Sequence, residues 1–324
     1  MKQIKKVEEM NMEEKINKNF DVTNTIKSAI IIVNPIAGKK ISCDNILKLT
    51  EILKKLDYKF KVYYTKAKKD ATNVILEEGK DYKFIICCGG DGTFHEVVNG
   101  VMKSKEHLPI LCVPFGTTND LAKSLGASSS LDHISKSISC HKIINLDVGC
   151  FNKEEYFSYV ASFGAFCEVA YKTSQKLKNI FGYVAYIFEG FRFLQKKKIR
   201  SYYLNVKCNE EQFEGSFIFG AITNSKSVAG LIDFTGQNTK MDDGEFEIIL
   251  IRKPENPMQL IKILLNLRKR KYNAENIIFR QAKNVFINSH TEMPWILDGE
   301  YAGDFSNINI ENICKGMEVM KGNN

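Results

Sequence analysis

The nine cysteines include no CxxC pair, and two of them, Cys87 and Cys88, are neighbours inside an apolar run. Adjacent strand residues point to opposite faces, so this pair is poorly placed for a zinc cage or a disulfide framework. Buried free thiols in a reducing compartment are expected instead. No apolar run reaches the roughly 18–20 residues of a bilayer-spanning helix. Met1 to Lys18 alternates lysine and glutamate without an apolar centre, so no signal peptide is expected there. A soluble or membrane-peripheral protein is the expectation. Internal repeats are also lacking. GxxxxGK[ST] does not occur, Gly90-x-Gly92 lacks the third glycine of a dinucleotide fingerprint, and there is no protein-kinase catalytic loop. Three large nucleotide-binding classes are thereby set aside.

What is present fits a folded two-core chain. The 324 residues are long for one core, and 44% hydrophobic with 26% charged residues is ordinary for a globular protein. A formal charge of +8 favours phosphates, acidic lipid surfaces or nucleic acid without choosing among them. A solvated lysine-rich surface accounts for it equally well.

After a charged tail over residues 1–25, Ser28 to Val33 reads as a buried strand ending at Asn34-Pro35. A helix with Ile46, Leu49, Leu53 and Leu56 on one face follows. Phe60 to Tyr64 is predicted as a strand, Asp70 to Glu78 as a helix, and Tyr82 to Cys88 as a strand that breaks at Gly89-Gly90. Phe94, Val97, Val98, Val101 and Met102 recur at helical spacing. Ile110 to Val113 and Ile143 to Val148 are further strands, with a helix from near Thr118 between them. Strands alternating with helices predict an α/β domain over 26–148, a parallel sheet with helices on both faces. Ligands of such sheets bind at the carboxyl ends of strands, where Asn34, the glycine loop, Pro114-Phe-Gly116 and Asp147 fall.

The pattern changes after Gly149. Tyr156 to Phe163, Tyr202 to Lys207, Phe213 to Thr223, Glu245 to Ile251 and Asn284 to Asn288 read as strands. Helices are expected over Thr173 to Lys198 and Pro257 to Arg270. Residues 149–311 are therefore read as a mainly antiparallel β-sandwich domain, with residues 312–322 packing back on the first domain.

A strand ending in Gly89-Gly90 that opens a helix leaves backbone N–H groups for an anion, and Gly92 extends the small-residue approach. Thr93 suits a cap or a phosphate contact. Asp91 would repel polyphosphate, by about 4 kcal/mol for unit charges 4 Å apart at an effective dielectric of 20, unless a cation intervenes. Mg²⁺ shared between Asp91 and phosphate removes the conflict. A plain Gly-Asp-Gly turn is the competing reading.

Asn34-Pro-Ile-Ala-Gly38, Gly89-Gly-Asp-Gly-Thr93, Pro114-Phe-Gly-Thr-Thr-Asn-Asp120 and Leu146-Asp-Val-Gly149 occur here in one order. Together they resemble the diacylglycerol kinase catalytic family, which includes sphingosine and ceramide kinases and bacterial lipid kinases. The resemblance runs from about Ser28 to near the C-terminus. It implies that Asn34, Gly38, Lys39, Thr65, Thr117 and Asn119 join the glycine loop in binding ATP, although Thr65 also reads as a strand-ending residue. Asp91, Asp120 and Asp147 would form an acidic network around Mg²⁺, although a first-turn helix acid is the plain reading of Asp120. Asp298-Gly-Glu300 resembles the family motif whose glutamate deprotonates the lipid hydroxyl, which makes Glu300 the implied base; an Asp-Gly hairpin turn is its plain reading. Lys240-Met-Asp-Asp-Gly-Glu245 resembles a structural Mg²⁺ site, with Asp243 ligating by its carboxylate and Lys240 and Glu245 by main-chain carbonyls. Glu245 departs from the aromatic or apolar residue expected there, and a simple turn fits as well.

The implied activity is transfer of the ATP γ-phosphate to diacylglycerol, with phosphatidylglycerol or a sphingoid base as alternative acceptors. The expected location is the cytoplasm, at the inner face of the membrane. Phe181 to Leu194, followed by Lys196-Lys-Lys198, could lie on anionic lipid or pack as a core helix. Arg268-Lys-Arg-Lys271 reads as an exposed helix end. Partners would be the lipid at the membrane surface and, left open, a second copy in a homodimer, with no nucleic acid. An NAD kinase, which shares the glycine loop, and a nucleic-acid binder suggested by charge alone are the rival readings.

Overall fold

The computed structural model describes residues 27–37, 43–116, 119–164, 200–225, 227–228, 232–234 and 239–321. They form two units, one ending at Leu146 and resuming at Lys315, the other spanning Asp147–Cys314.

The first unit alternates strand and helix. It comprises β1 (Ser28–Val33), α1 (Cys43–Lys55), β2 (Lys59–Tyr64), α2 (Asp70–Glu78), β3 (Phe84–Gly89), α3 (Asp91–Lys103), β4 (Ile110–Pro114), α4 (Asp120–Leu125), α5 (Leu131–Cys140) and the start of β5 (Ile143–Phe151). The strands are ordered β2-β1-β3-β4 and run parallel, with Ile31 opposite both Val62 and Ile86, and Cys87 opposite Cys112. Every residue of β1 and β3 is buried. Their unbroken apolar runs are what a parallel sheet covered on both faces requires. Ile31, Val33, Ile86, Cys88, Leu111 and Val113 pack with Ile46, Leu49 and Leu53 of α1 and Ile134 and Ile138 of α5. The thiols of Cys87, Cys88 and Cys112 are free, and burial pushes all three upward, so they are inert at neutral pH.

The second unit holds the rest of β5, then β6 (Glu155–Phe157), β7 (Val160–Gly164), β8 (Tyr202–Cys208), β9 (Glu211–Thr223), the short pair β10 (Ser227–Val228) and β11 (Ile232–Asp233), and β12 (Phe246–Arg252). There follow α6 (Pro257–Arg268), β13 (Ile277–Ala282), β14 (Asn284–Leu297) and β15 (Glu300–Met320). The main strand order is β13-β12-β9-β7-β14-β15, antiparallel within this unit, and β8 pairs with both β9 and β14. Phe157, Phe163, Phe217, Phe246 and Trp295 are fully buried in its core, with the Trp295 and Phe163 rings 5.1 Å apart. A second cluster joins Ile249 and Ile251 to Ile263 and Leu267 of α6. Beyond Cys314, β15 belongs to the first unit, where Val319 pairs in parallel with Ile110.

The stretch Tyr156 to Phe163, expected as one strand, is two, broken at Ser158-Tyr159. The cause is Asp298, whose carboxylate takes the N–H groups of Ser158, Tyr159 and Val160. β14 runs far past Asn288 despite Pro294. That proline falls between the part pairing with β8, which ends at Ser289, and the part pairing with β7, which begins at Trp295. A missing N–H costs little in such a gap.

Glu247 in β12 is fully buried, and its Oε2 has no hydrogen-bond partner. Burial pushes its carboxyl up to about 8, assisted by nearby Asp243, while hydrogen bonds from Gln281 and Thr239 pull the other way. The folded state therefore holds this proton more tightly than the unfolded chain. The resulting stability is complete below about pH 4.5 and is lost as pH rises through about 8. Glu247→Gln, which preserves the acceptor for Gln281, is expected to raise the Tm at pH 9 clearly more than at pH 5. Equal Tm shifts at both pH values would show that Glu247 does not titrate in this range.

Candidate active site

Parallel strands deliver their carboxyl ends to one edge, and the site of the first unit is built there. Asn34 follows β1: its N–H reaches the Cys88 carbonyl at 3.1 Å, and its amide Nδ2 donates to the Thr93 hydroxyl at 3.0 Å. Its Oδ1 accepts the Ile36 N–H at 3.1 Å, which folds the following turn back on itself. Thr65 sits beside it, with its N–H on the Val33 carbonyl at 2.9 Å.

At the end of β3 the chain is tightly confined. A Cβ on Gly89 would stand 2.4 Å from the Thr93 hydroxyl oxygen. Gly116, after β4, presses against it: the N–H groups of Phe115 and Gly116 both donate to the Gly89 carbonyl, at 2.8 and 3.2 Å. A Cβ on Gly116 would lie 2.5 Å from the Gly90 Cα and 2.6 Å from the Asn119 Oδ1. Asn119, at a left-handed φ of 50°, donates its Nδ2 to the Gly116 carbonyl at 2.7 Å. These contacts bring Asn34, Gly89, Gly90, Thr93, Gly116 and Asn119 together. Two loops from adjacent strands meet backbone to backbone.

Directly after Gly90, α3 begins with no side chain capping it. Backbone N–H groups and the helix dipole there suit an anion. Asp91, half-buried, is the first residue of α3, with Gly92 next to it, and Asp120, also half-buried, opens α4. Gly38, Lys39 and Thr117 lie outside the described residues, as do the helix expected over Thr173 to Lys198 and the aromatic segment Phe181 to Leu194 within it.

In the second unit, Leu297 and Glu300 pair across a two-residue turn whose Asp298 and Gly299 have φ of 50° and 90°. Positive φ at both positions makes this a type I′ hairpin turn, the connection that an Asp-Gly pair favours. Glu300, half-buried, leads β15 out of that turn. Asp298 is the residue that the sequence reading passed over. Its carboxylate accepts the N–H groups of Ser158 at 2.9 Å, Tyr159 at 2.8 Å and Val160 at 3.0 Å, and the Ser158 hydroxyl at 3.3 Å. Its own N–H donates to the Val160 carbonyl at 2.8 Å. The turn that carries Glu300 is thus bolted to the start of β7.

Asp147 lies in this second unit with its carboxylate fully buried. Its Oδ2 accepts the Gly244 N–H at 2.6 Å and faces the Asn312 amide at 3.5 Å, and its main-chain N–H donates to the Met241 carbonyl at 2.8 Å. The Lys240–Glu245 turn is therefore tied down by Asp147. Within it, Asp243 is exposed and its Oδ1 accepts the Glu245 N–H at 3.2 Å, while Lys240 is exposed. Among the described residues, no group of three or more His, Cys, Asp or Glu side chains converges as a metal cage.

A glycine-lined cradle at the strand ends of an α/β unit is a place where the phosphates of a nucleotide bind. Residues 28–151 match the family model of the diacylglycerol kinase catalytic domain. A diacylglycerol kinase of Staphylococcus haemolyticus is 32% identical over 295 residues, covering 90% of this chain and 88% of its own. A diacylglycerol kinase of Bacillus subtilis is 30% identical over 285 residues, covering 86% and 91% respectively. The chain belongs to the diacylglycerol kinase family. Its fold is also that of a crystal structure of a diacylglycerol kinase from Bacillus anthracis, with a TM-score of 0.68 at 20% identity, over 92% of this chain and 98% of that one.

Proposed function

We propose that the protein transfers the γ-phosphate of ATP to the hydroxyl of a membrane lipid, with diacylglycerol the substrate and phosphatidic acid the product. The observation that carries this reading is the confined cradle formed by Gly89, Gly90 and Gly116 in front of the uncapped start of α3. The nucleotide's phosphates lie against backbone there, with Asn34, Thr65, Thr93 and Asn119 shaping the walls.

Two half-buried carboxylates beside a polyphosphate call for a divalent cation, and Mg²⁺ needs few protein ligands when phosphates and water supply the rest. Asp91 and Asp120 would hold the ion, which when bound neutralises charge on the phosphates. Asp147, committed to Gly244, supports the Lys240–Glu245 turn instead. There the free carboxylate edge of Asp243 and the carbonyls of Lys240 and Glu245 would take a second, structural ion. Glu300 accepts the proton of the lipid hydroxyl as that oxygen attacks the γ-phosphorus in line and ADP leaves. The enzyme acts at the cytoplasmic face of the membrane; no helix among the described residues is long and apolar enough to cross it.

Incubation with Mg·ATP and mixed micelles of diacylglycerol, phosphatidylglycerol or sphingosine, with NAD in parallel, tests this by product mass spectrometry. Phosphatidic acid is expected, and phosphorylated NAD without a lipid product would overturn it. The cradle makes its own prediction. Gly116→Ala sets a Cβ 2.5 Å from the Gly90 backbone, which cannot yield as a side chain would. ATP affinity is expected to fall by about tenfold or more in calorimetric titration, equivalent to about 1.4 kcal/mol. Unchanged affinity would remove this contact from the nucleotide site.

A further inference from the structure

We propose that α6 is a docking helix that lies on an anionic lipid surface. The proposal rests on the lipid-kinase reading and adds to it the part of the chain that meets the bilayer.

The helix starts at a fixed point, with Pro257 in its first turn and Asn256 Oδ1 accepting the Gln259 N–H at 3.0 Å. One face carries the packing: Leu260, Ile263 and Leu267 are buried, the last two with Ile249 and Ile251 of β12. That accounts for the inner stripe only. The outer stripe is also apolar. Met258 is 74% exposed and Leu265 41% exposed, with half-buried Ile261 between them at i+3 and i+7 from Met258. A helix that met only water on that face would carry polar residues there.

The charge around this stripe is mostly positive. Arg268 ends the helix and Lys269, Arg270 and Lys271 follow it, all exposed. Between Arg252 and Glu275 the chain has seven lysines and arginines against two glutamates, five of its overall excess of eight. Lys262, on the outer side between the apolar residues, stands 3.4 Å from the exposed Glu275, a solvated pair that breaks readily. The helix is about 18 Å long, so hydrocarbon contacts and cations fall along one short, flat element.

Exposed hydrocarbon edged by cations matches a surface offering both acyl chains and negative headgroups. Nucleic acid would satisfy the cations and leave Met258 and Leu265 in water. A second copy of the chain would bring the same positive charge against itself.

The test is sedimentation of the full chain with phosphatidylcholine vesicles and with vesicles of phosphatidylcholine and phosphatidylglycerol. The wild type is expected to bind only the anionic vesicles, less tightly as salt rises. Each basic residue near such a surface is worth about fivefold in partition. Changing Arg268, Lys269, Arg270 and Lys271 together to Gln is expected to reduce partition by about a hundredfold or more. Met258→Glu with Leu265→Glu, which keeps all four cations, should also reduce it, with the Tm of both variants near wild type. Turnover of a short-chain diacylglycerol below its micelle concentration should be unchanged in both. Wild-type partition in both variants, no binding to anionic vesicles, or tighter binding to polyuridylate than to those vesicles would overturn the proposal. Absence of any lipid product would sink the kinase reading and leave the vesicle result to decide the docking helix by itself.

Discussion

Glu300→Gln is expected to lower kcat for lipid phosphorylation by about a thousandfold while leaving ATP affinity within about twofold of wild type. Glutamine keeps the size and one acceptor of glutamate but cannot take a proton at neutral pH. The residue leads β15 from a type I′ turn, where a uniform change of side-chain chemistry leaves the backbone pairing with Leu297 intact. The nucleotide cradle is made by Asn34, Gly89, Gly90, Gly116 and Asn119, none of which touches this turn in sequence. Product mass spectrometry gives turnover, and calorimetric titration gives nucleotide affinity. A variant that turns over lipid at near-normal rate would take Glu300 out of the proton transfer. A variant that loses ATP affinity as well would make its role one of binding.

Asp298→Ala is expected to cost about 4 kcal/mol of stability and about 10 °C in Tm. The carboxylate satisfies three N–H groups, of Ser158, Tyr159 and Val160, and Asp298 itself is only 7% exposed. Alanine leaves those donors unpaired in the interior at about 1–3 kcal/mol each. It also places a Cβ residue without a polar side chain at φ 50°, where Asp and Asn are tolerated best. Asp298→Asn retains one acceptor oxygen and the turn preference, so its loss should be markedly smaller. Thermal unfolding of the two variants checks the ranking. An alanine variant as stable as the wild type would mean that the three N–H groups find other partners.

The first unit was legible because its signals are local. The apolar runs of β1 and β3 are short, unbroken and ended by Asn34-Pro35 and Gly89-Gly90, and the helical spacing of Phe94, Val97, Val98 and Val101 lies within a few turns. α5 was missed because Ser-rich Leu131–Cys140 shows only Ile134 and Ile138 as buried apolar positions. The second unit was harder, since its defining contacts join distant residues. Asp298 reaches donors some 138–140 positions upstream, and nothing near Asp298-Gly-Glu300 announces the break it makes between β6 and β7. The resemblance puts Asp147 in an acidic network, but its link to the Gly244 N–H, 97 residues later, is seen only in the fold. The cradle's tightness was also hidden. The motif shows glycines, but only the fold brings Gly116 directly onto Gly90.

The pairing of Val319 with Ile110 sets a schedule for the ribosome. β1 to β4 can form once their own segment has emerged, yet β4 keeps an open edge until roughly two hundred further residues have been synthesised. During that interval the exposed edge of β4 offers unpaired backbone groups to other chains. Closing so long a loop adds little entropy per extra residue, but it delays the contact until the second unit's strands are also available. The first unit therefore becomes complete only after residues 315–320 have been made, and a polypeptide cut before Lys315 would carry an unfinished nucleotide-binding sheet.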